Sequence, residues 1–370
     1  MKIGTEDIQK IKKKILALME KRPERIGIHI EGEMARIVKL VKKDEDTLKL
    51  GAFEDVPFSL IDQSLEQQKN FLKAVNQVGS GLQKVAVNIE DPSLRIRRMV
   101  FAKMPEADLL EAIRWNFREH IEVPIEEYVV GYTALRGTID DNKRAIIGYG
   151  VAKKAIDDYQ ERFKVLGLKP VSLEPISSSL LASFYTNGIL NDDGYHVCIY
   201  FGETMASFVV MKHDELLFSR PLAGLCQDML KKNMIRDIGV TKESLDEMFG
   251  SWLKKARDVE VDEPTPVEPD MSIQSKFDGS MRHCFSNLVI EVQRSIDAFC
   301  IQYDVERIDC IHVCGIGTYY PGMVKHIEKT LGIRTEAFNS FANLMDESLL
   351  KGDYIEKAPL FAVAVGLALS

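Results

Sequence analysis

The chain has no apolar run long enough to cross a bilayer. Its longest, Ala358 to Leu369, has 12 residues, against about 20 for a spanning helix. The start of the sequence is charged and lacks the apolar core of a secretory signal. Together these features lead us to expect a cytoplasmic protein. Excess positive charge is also missing. The formal net charge is -8, which argues against nucleic acid as a partner. There is no CxxC pair among the six cysteines, Cys198, Cys226, Cys284, Cys300, Cys310 and Cys314. Cys310 and Cys314 fall in one expected strand and would sit roughly 13 Å apart, too far for a disulfide or a shared zinc. The cysteines therefore read as small buried hydrophobes in a reducing compartment. His283 and His312 show no ligand-spaced partner in the sequence, so no metal site is expected. Gly315 and Gly317 lack the third glycine and the later acid of a dinucleotide fingerprint.

What is present is an ordinary globular composition. Of 370 residues, 45% are hydrophobic and 28% charged, enough for two domains or lobes. Three glycine turns organise the chain. Ile26 to Leu40 and Val197 to Val210 read as β-hairpins, apolar strands around tight turns at Gly32 and Gly202. Cys310 to Gly322 reads as a buried strand entering a glycine-rich turn and then a helix. Two similar hairpins far apart suggest one unit used twice, with a cleft between the copies. Residues 6–22 carry a helical apolar pattern with a lysine-rich polar face. That helix could lie on an anionic surface, dock on the protein, or fray. Residues 258–270 hold six acids, three prolines and no base, the composition of a solvated loop. The helices at Pro175–Tyr185 and at the C-terminus are rich in small residues that permit close approach.

The order hairpin, hairpin, strand–turn–helix resembles the actin-like, FtsA-type two-lobed α/β fold with mixed sheets. More narrowly, the chain resembles the type IV pilus assembly protein PilM family. The matching pieces are Val85-Ala86-Val87, Arg97-Arg98-Met99, Met104-Pro105, Ile113-Arg114-Trp115, Ile121 to Glu127, Gly167 to Val171, and Pro359 to Leu369. The resemblance spans residues 24 to 369. It implies a first lobe from 24–91, 172–190 and 340–370, a small inserted α+β domain at 92–171, and a second lobe at 191–339; residues 1–23 lie outside the resemblance and read, from their own pattern, as a separate basic amphipathic helix. It also implies a scaffold at the cytoplasmic face of the inner membrane. Such a scaffold binds the cytoplasmic N-terminal peptide of a PilN-type membrane protein in a groove between the first lobe and the inserted domain. Membrane-surface contact and homo-oligomerisation stay open. On the inserted domain, Arg97, Arg114, Trp115 and Ile121 are candidate contacts. Arg95 and Arg98 extend its basic side, while Ile113 and Phe117 are either contacts or core.

In that fold the glycine turns hold a nucleotide, so Gly32, Gly202, Thr204, Gly315, Gly317 and Gly322 are the candidate cofactor residues. The family usually carries Asp where this chain has His29 and Tyr200. Imidazole and phenol are poor Mg²⁺ ligands. Glu31, Glu33 and Glu203 put further carboxylates on the phosphate path. Each such contact at 4 Å costs roughly 1–4 kcal/mol, which Arg36 would offset only in part. His29 and Tyr200 read as a buried hydrogen-bonded pair rather than an acid–base couple. The resemblance therefore points to a degenerate cleft without turnover, with no cofactor expected and Mg-ATP doubtful. An active ATPase or nucleotide-gated switch is the alternative. A sugar or acyl kinase is a further one, with Glu203 as its only candidate base.

Overall fold

The computed structural model describes residues 26–44, 47–61, 63–81, 84–136, 142–258, 272–345 and 353–369. The helix expected over 6–22 and residues 259–270 of the acidic loop lie outside them. The chain opens with β1 (Ile26–Glu31), β2 (Met34–Asp44) and β3 (Thr47–Pro57), then α1 (Leu65–Gly79) and β4 (Lys84–Asn88). β1 and β2 form the expected hairpin, and β4 returns parallel to β1. The α1 start is written in the sequence. Ser64 accepts from the Gln67 N–H while the Gln67 side chain returns to the Ser64 N–H, a reciprocal cap. Phe71, Val75 and Val78, at helical spacing, pack on Ile28 and Ile37 of the sheet and on Phe58 just past β3.

β5 (Arg95–Ala102), α2 (Glu106–Arg118), β6 (Tyr128–Ala134) and β7 (Lys143–Ala152) follow. The three strands form a separate antiparallel sheet in the order β5-β7-β6. Its own core contains Met99, Leu109, Ile113, Phe117, Tyr128 and Ile146. α3 (Lys153–Val165) and β8 (Lys169–Glu174) come next, and here the structure departs from the expected boundary at 171. β8 lies parallel to β4 in the first sheet. Phe163, Leu166 and Leu168 join the core around Phe58 and Phe71. The chain thus re-enters the first lobe before residue 171. Pro170 argues against a strand in the sequence, but β8 is an edge strand, where proline is tolerated.

After α4 (Ile176–Thr186), the second lobe repeats the plan. It comprises β9 (His196–Phe201), β10 (Ala206–Lys212), β11 (Glu215–Pro221), α5 (Gln227–Ile238), α6 (Lys242–Asp258), α7 (Ile273–Tyr303), β12 (Cys310–Cys314), α8 (Met323–Leu331) and β13 (Thr335–Ala337). Its sheet order β11-β10-β9-β12-β13 mirrors the first sheet's β3-β2-β1-β4-β8. In each, an antiparallel trio is extended by two parallel strands. This duplicated unit is the actin-like fold. The chain closes with α9 (Asp353–Lys357) and α10 (Ala362–Leu369). α10 is apolar throughout and nearly wholly buried because it sits between β1 and α4. A Cβ on Gly27 would stand 2.2 Å from the Ala364 carbonyl oxygen, and one on Gly366 would stand 1.8 Å from that of Ser179. Only glycine permits either backbone approach.

Candidate functional site

The two hairpin turns meet face to face, where the repeated sheets point their β1 and β9 ends at each other. Each turn is occupied by a carboxylate from the other lobe. Glu31, the last residue of β1, accepts through Oε1 from the Thr204 N–H at 3.1 Å and the Met205 N–H at 3.2 Å. Its Oε2 accepts from the Tyr200 hydroxyl at 2.5 Å. In the reverse direction, Glu203 Oε2 accepts from the Glu33 N–H at 3.3 Å, and its Oε1 pairs with the Arg36 guanidinium at 2.9 Å. The glycines make room for this exchange. A Cβ on Gly202 would fall 2.1 Å from Glu31 Oε1, and one on Gly32, whose φ is +57°, would fall 2.6 Å from Glu203 Oε2. β4 supplies two further groups. Asn88 brackets Ile30, accepting from its N–H at 2.8 Å and donating to its carbonyl at 2.9 Å. Just beyond it, Glu90 accepts from the Thr204 hydroxyl at 2.9 Å.

Burial sets the charges. Desolvation, reinforced by Arg36, holds the His29 pKa well below its ordinary value, so the ring is neutral. Desolvation and the neighbouring Glu31 push Tyr200 well above the usual phenol range, so it stays a donor. Glu90 is raised to about 7, first by burial and then by Glu31. Glu203 is raised by burial, a shift opposed by Arg36. The cluster is thus a neutral imidazole, a neutral phenol, a carboxyl that titrates near neutrality, and a buried ion pair. His29 Nε2 stands 3.4 Å from the Tyr200 hydroxyl, the expected pairing across the cleft.

One expectation about these carboxylates needs correcting. Glu33 does not crowd the cleft, because its side chain is 83% exposed, 3.8 Å from Lys242. Arg36 is buried in direct contact with Glu203, one cation among three carboxylates. Gly32, Gly202 and Thr204 are brought together, as the resemblance implied. Gly315 and Gly317 are instead taken up by packing. A Cβ on Gly315, whose φ is +80°, would lie 2.5 Å from the Phe201 carbonyl oxygen, and one on Gly317 would lie 2.8 Å from Phe201 Cβ. Gly322 caps α8 with open space beside it. Glu90 and Asn88 were missed. The one available signal was polar residues directly following the buried run Val85-Ala86-Val87.

On the inserted domain, Ile113 and Phe117 are core, and Ile121 packs partly against that core. Trp115 is 64% exposed, with the Arg118 guanidinium 5.1 Å from its ring centre. Arg97 is exposed, and Arg114 is half-buried near Glu111. Arg98 turns to the other side of the sheet, over the Tyr303 ring of α7. Arg95 is spent on the carbonyls of Pro92, Leu94 and His120. The basic side is therefore narrower than the sequence suggested. Among the described residues, no helix is long and apolar enough to cross a membrane.

Residues 275–370 match the family model of the type IV pilus assembly protein PilM. No curated protein matches the sequence. Among solved structures, the PilM–PilN type IV pilus biogenesis complex aligns with TM-score 0.76 at 20% identity, covering 94% of this chain and 98% of that one. A diol dehydratase-reactivating factor in nucleotide-free form aligns with TM-score 0.52 at 10% identity, covering 94% and 99%. The ethanolamine utilization protein EutJ from Carboxydothermus hydrogenoformans gives 0.47 at 12% identity, covering 97% and 98%. Residues 275–370 are similar to PilM by sequence, and the two lobes carry the actin-like fold seen in the PilM–PilN structure.

Proposed function

We propose that this protein is an assembly scaffold of a type IV pilus or related machine. It works at the cytoplasmic face of the inner membrane and binds the cytoplasmic peptide of a PilN-type partner. The observation that carries the assignment is the pairing of the PilM family match with a PilM–PilN complex as structural neighbour. The peptide lies between the first lobe and the inserted domain, with Trp115 as the exposed aromatic anchor, since large aromatics on a surface are the usual interface hot spots. Arg97 and Arg114 supply charge beside it. The direct test is capture of the partner's cytoplasmic peptide by the full chain. Trp115→Ala should weaken it at least tenfold, and unchanged affinity would move the site elsewhere.

The same reading makes the cleft a degenerate nucleotide site. Glu31 sits on the Thr204 and Met205 N–H groups, and Glu203 on the Glu33 N–H. These are the turn amides that would otherwise face a phosphate. A nucleotide would have to displace both carboxylates and break the buried Arg36–Glu203 pair. His29 and Tyr200 supply no hard anionic ligand for Mg²⁺. The chain's own residues thus do not fit the group. A ligand at 100 times its dissociation constant raises stability by about 2.7 kcal/mol. Millimolar Mg-ATP should therefore leave the melting temperature unchanged and release no phosphate. Turnover abolished by Gly202→Val would overturn this part and restore the ATPase alternative.

A further inference from the structure

At the far end of β12 from the cleft, a second polar cluster stands apart from everything above. Cys310 and His312 are two residues apart in the strand and share a face. Glu336 of β13 is the direct neighbour of His312 in the parallel register. One ligand atom from each of these three side chains lies within 4.8 Å of the others. The absence of a ligand-spaced partner for His312, expected from sequence, does not hold in the fold, because the partner arrives on another strand.

Proton counting shows what the cluster lacks. Four groups form a chain: Asp192, His196, His312 and Glu336. His196 Nε2 meets Asp192 Oδ1 at 2.8 Å, His196 Nδ1 meets His312 Nε2 at 3.2 Å, and His312 Nδ1 meets Glu336 Oε1 at 3.2 Å. Each of the three links needs one shared hydrogen, and two neutral imidazoles carry only two. Asp192 and Glu336 can both only accept, so one end of the chain must go short of a hydrogen. The geometry puts the shortfall at Glu336: His196 Nε2 meets Asp192 in hydrogen-bonding geometry, whereas the buried His312 Nδ1 meets no partner in that geometry. His312 then donates from Nε2 to His196 and turns a bare lone pair toward Glu336. A nitrogen lone pair and a carboxylate oxygen face each other at the spacing of two ligands of one ion. Tetrahedral zinc, with bonds of about 2.0–2.1 Å to nitrogen and oxygen, sets such neighbours about 3.3 Å apart. The Cys310 thiol stands at this same end of the chain and supplies a soft third donor.

We propose that Cys310 Sγ, His312 Nδ1 and Glu336 Oε1 form a binding site for a borderline divalent transition-metal ion, best suited to zinc. The mixed sulfur, nitrogen and oxygen set excludes the hard ions Mg²⁺ and Ca²⁺. The orientation of the histidine is already fixed by its second nitrogen through His196 and Asp192, the arrangement that metal-bound imidazoles use. Arg334 holds the other Glu336 oxygen at 2.7 Å, leaving Oε1 for the ion. Cys310 and His312 are buried while Glu336 lies at the sheet edge, which gives the ion a way in and leaves the fourth position to water. Binding would release the thiol proton and tie the short β13 to β12.

The test uses the untagged full chain, stripped with a chelator and dialysed, then titrated with Zn²⁺ alone. One equivalent should bind and raise the melting temperature. Co²⁺ in its place should show a near-ultraviolet thiolate charge-transfer band. Cys310→Ser should abolish the band and weaken Zn²⁺ at least about tenfold, and Glu336→Gln should weaken it about tenfold. Cys284→Ser, in α7 and outside the cluster, should change neither. If Cys310→Ser does not fold, the half-exposed Glu336→Gln carries the test. Failure to bind stoichiometric Zn²⁺, or a band that survives Cys310→Ser, overturns the proposal. A His312 ring that shows protons on both nitrogens in the chelator-treated chain and takes up no Zn²⁺ also overturns it, because a third proton then closes the chain.

Discussion

The two hairpins carry out the same exchange with different physics. Glu31, from the first, is held by neutral donors: two backbone N–H groups and a phenol. Glu203, from the second, is held by one backbone N–H and a buried guanidinium. Hydrogen-bond donors fix a carboxylate in place with little long-range charge. A buried ion pair leaves an uncompensated charge behind if either member goes. The two halves of the clamp should therefore fail differently, although the sheets that carry them are built alike.

The largest effect is expected on the charged half. Glu203→Ala strands Arg36 in the interior and should cost about 3–5 kcal/mol of unfolding free energy. Adding Arg36→Met should recover a large part of that loss. Denaturant melts of the single and double variants check this, and a double variant as weak as the single would mean that Arg36 is not the stranded charge.

Next comes the group that couples the halves. Glu90 has a folded pKa of about 7 against 4.5 for the free side chain. A carboxyl raised on folding binds its proton more tightly in the native state. Its contribution is therefore complete below pH 4.5 and is lost as pH climbs toward 7, on the order of 3 kcal/mol in all. Glu90→Gln should flatten the stability profile between pH 5 and 7 and leave the variant more stable than the parent above it. Parallel profiles for the two proteins would contradict this.

On the neutral half, Tyr200→Phe removes one donor to a buried carboxylate and should cost about 1.5–3 kcal/mol, less than the loss of Glu203. Equal losses would erase the distinction between the halves. The smallest effect sharpens the comparison by exclusion. Glu33→Ala, at an exposed side chain of the same turn, should stay within about 0.5 kcal/mol of the parent, because only its backbone N–H serves the clamp.

The elements themselves were legible because local signals agreed. Ser64 and Gln67 cap α1, and apolar strands run into and out of the turns at Gly32 and Gly202. Two strands escaped, each for a physical reason. β8 contains Pro170 and survives only at a sheet edge. β13 has three residues, Thr335 to Ala337, too few to show a period. The site was half legible. That Glu31 and Glu203 lie on the path between turns follows from their place in each hairpin. That they bind rather than repel depends on which amides the opposite lobe presents, and no spacing within one hairpin encodes that. The Cys310, His312 and Glu336 cluster was hidden for the same reason, since it needs the register of β12 against β13.

The approach of α10 to β1 carries a consequence for how the molecule is made. A ribosome releases β1 early and α10 late, yet Gly27 and the Ala364 carbonyl end up in direct backbone contact. One face of the first sheet must therefore wait, uncovered, while the inserted domain and the second lobe are synthesised. Contacts so distant along the chain form slowly and leave apolar strands open to wrong pairings. The first lobe is thus the last to be finished, and nascent chains should need protection there until α10 arrives.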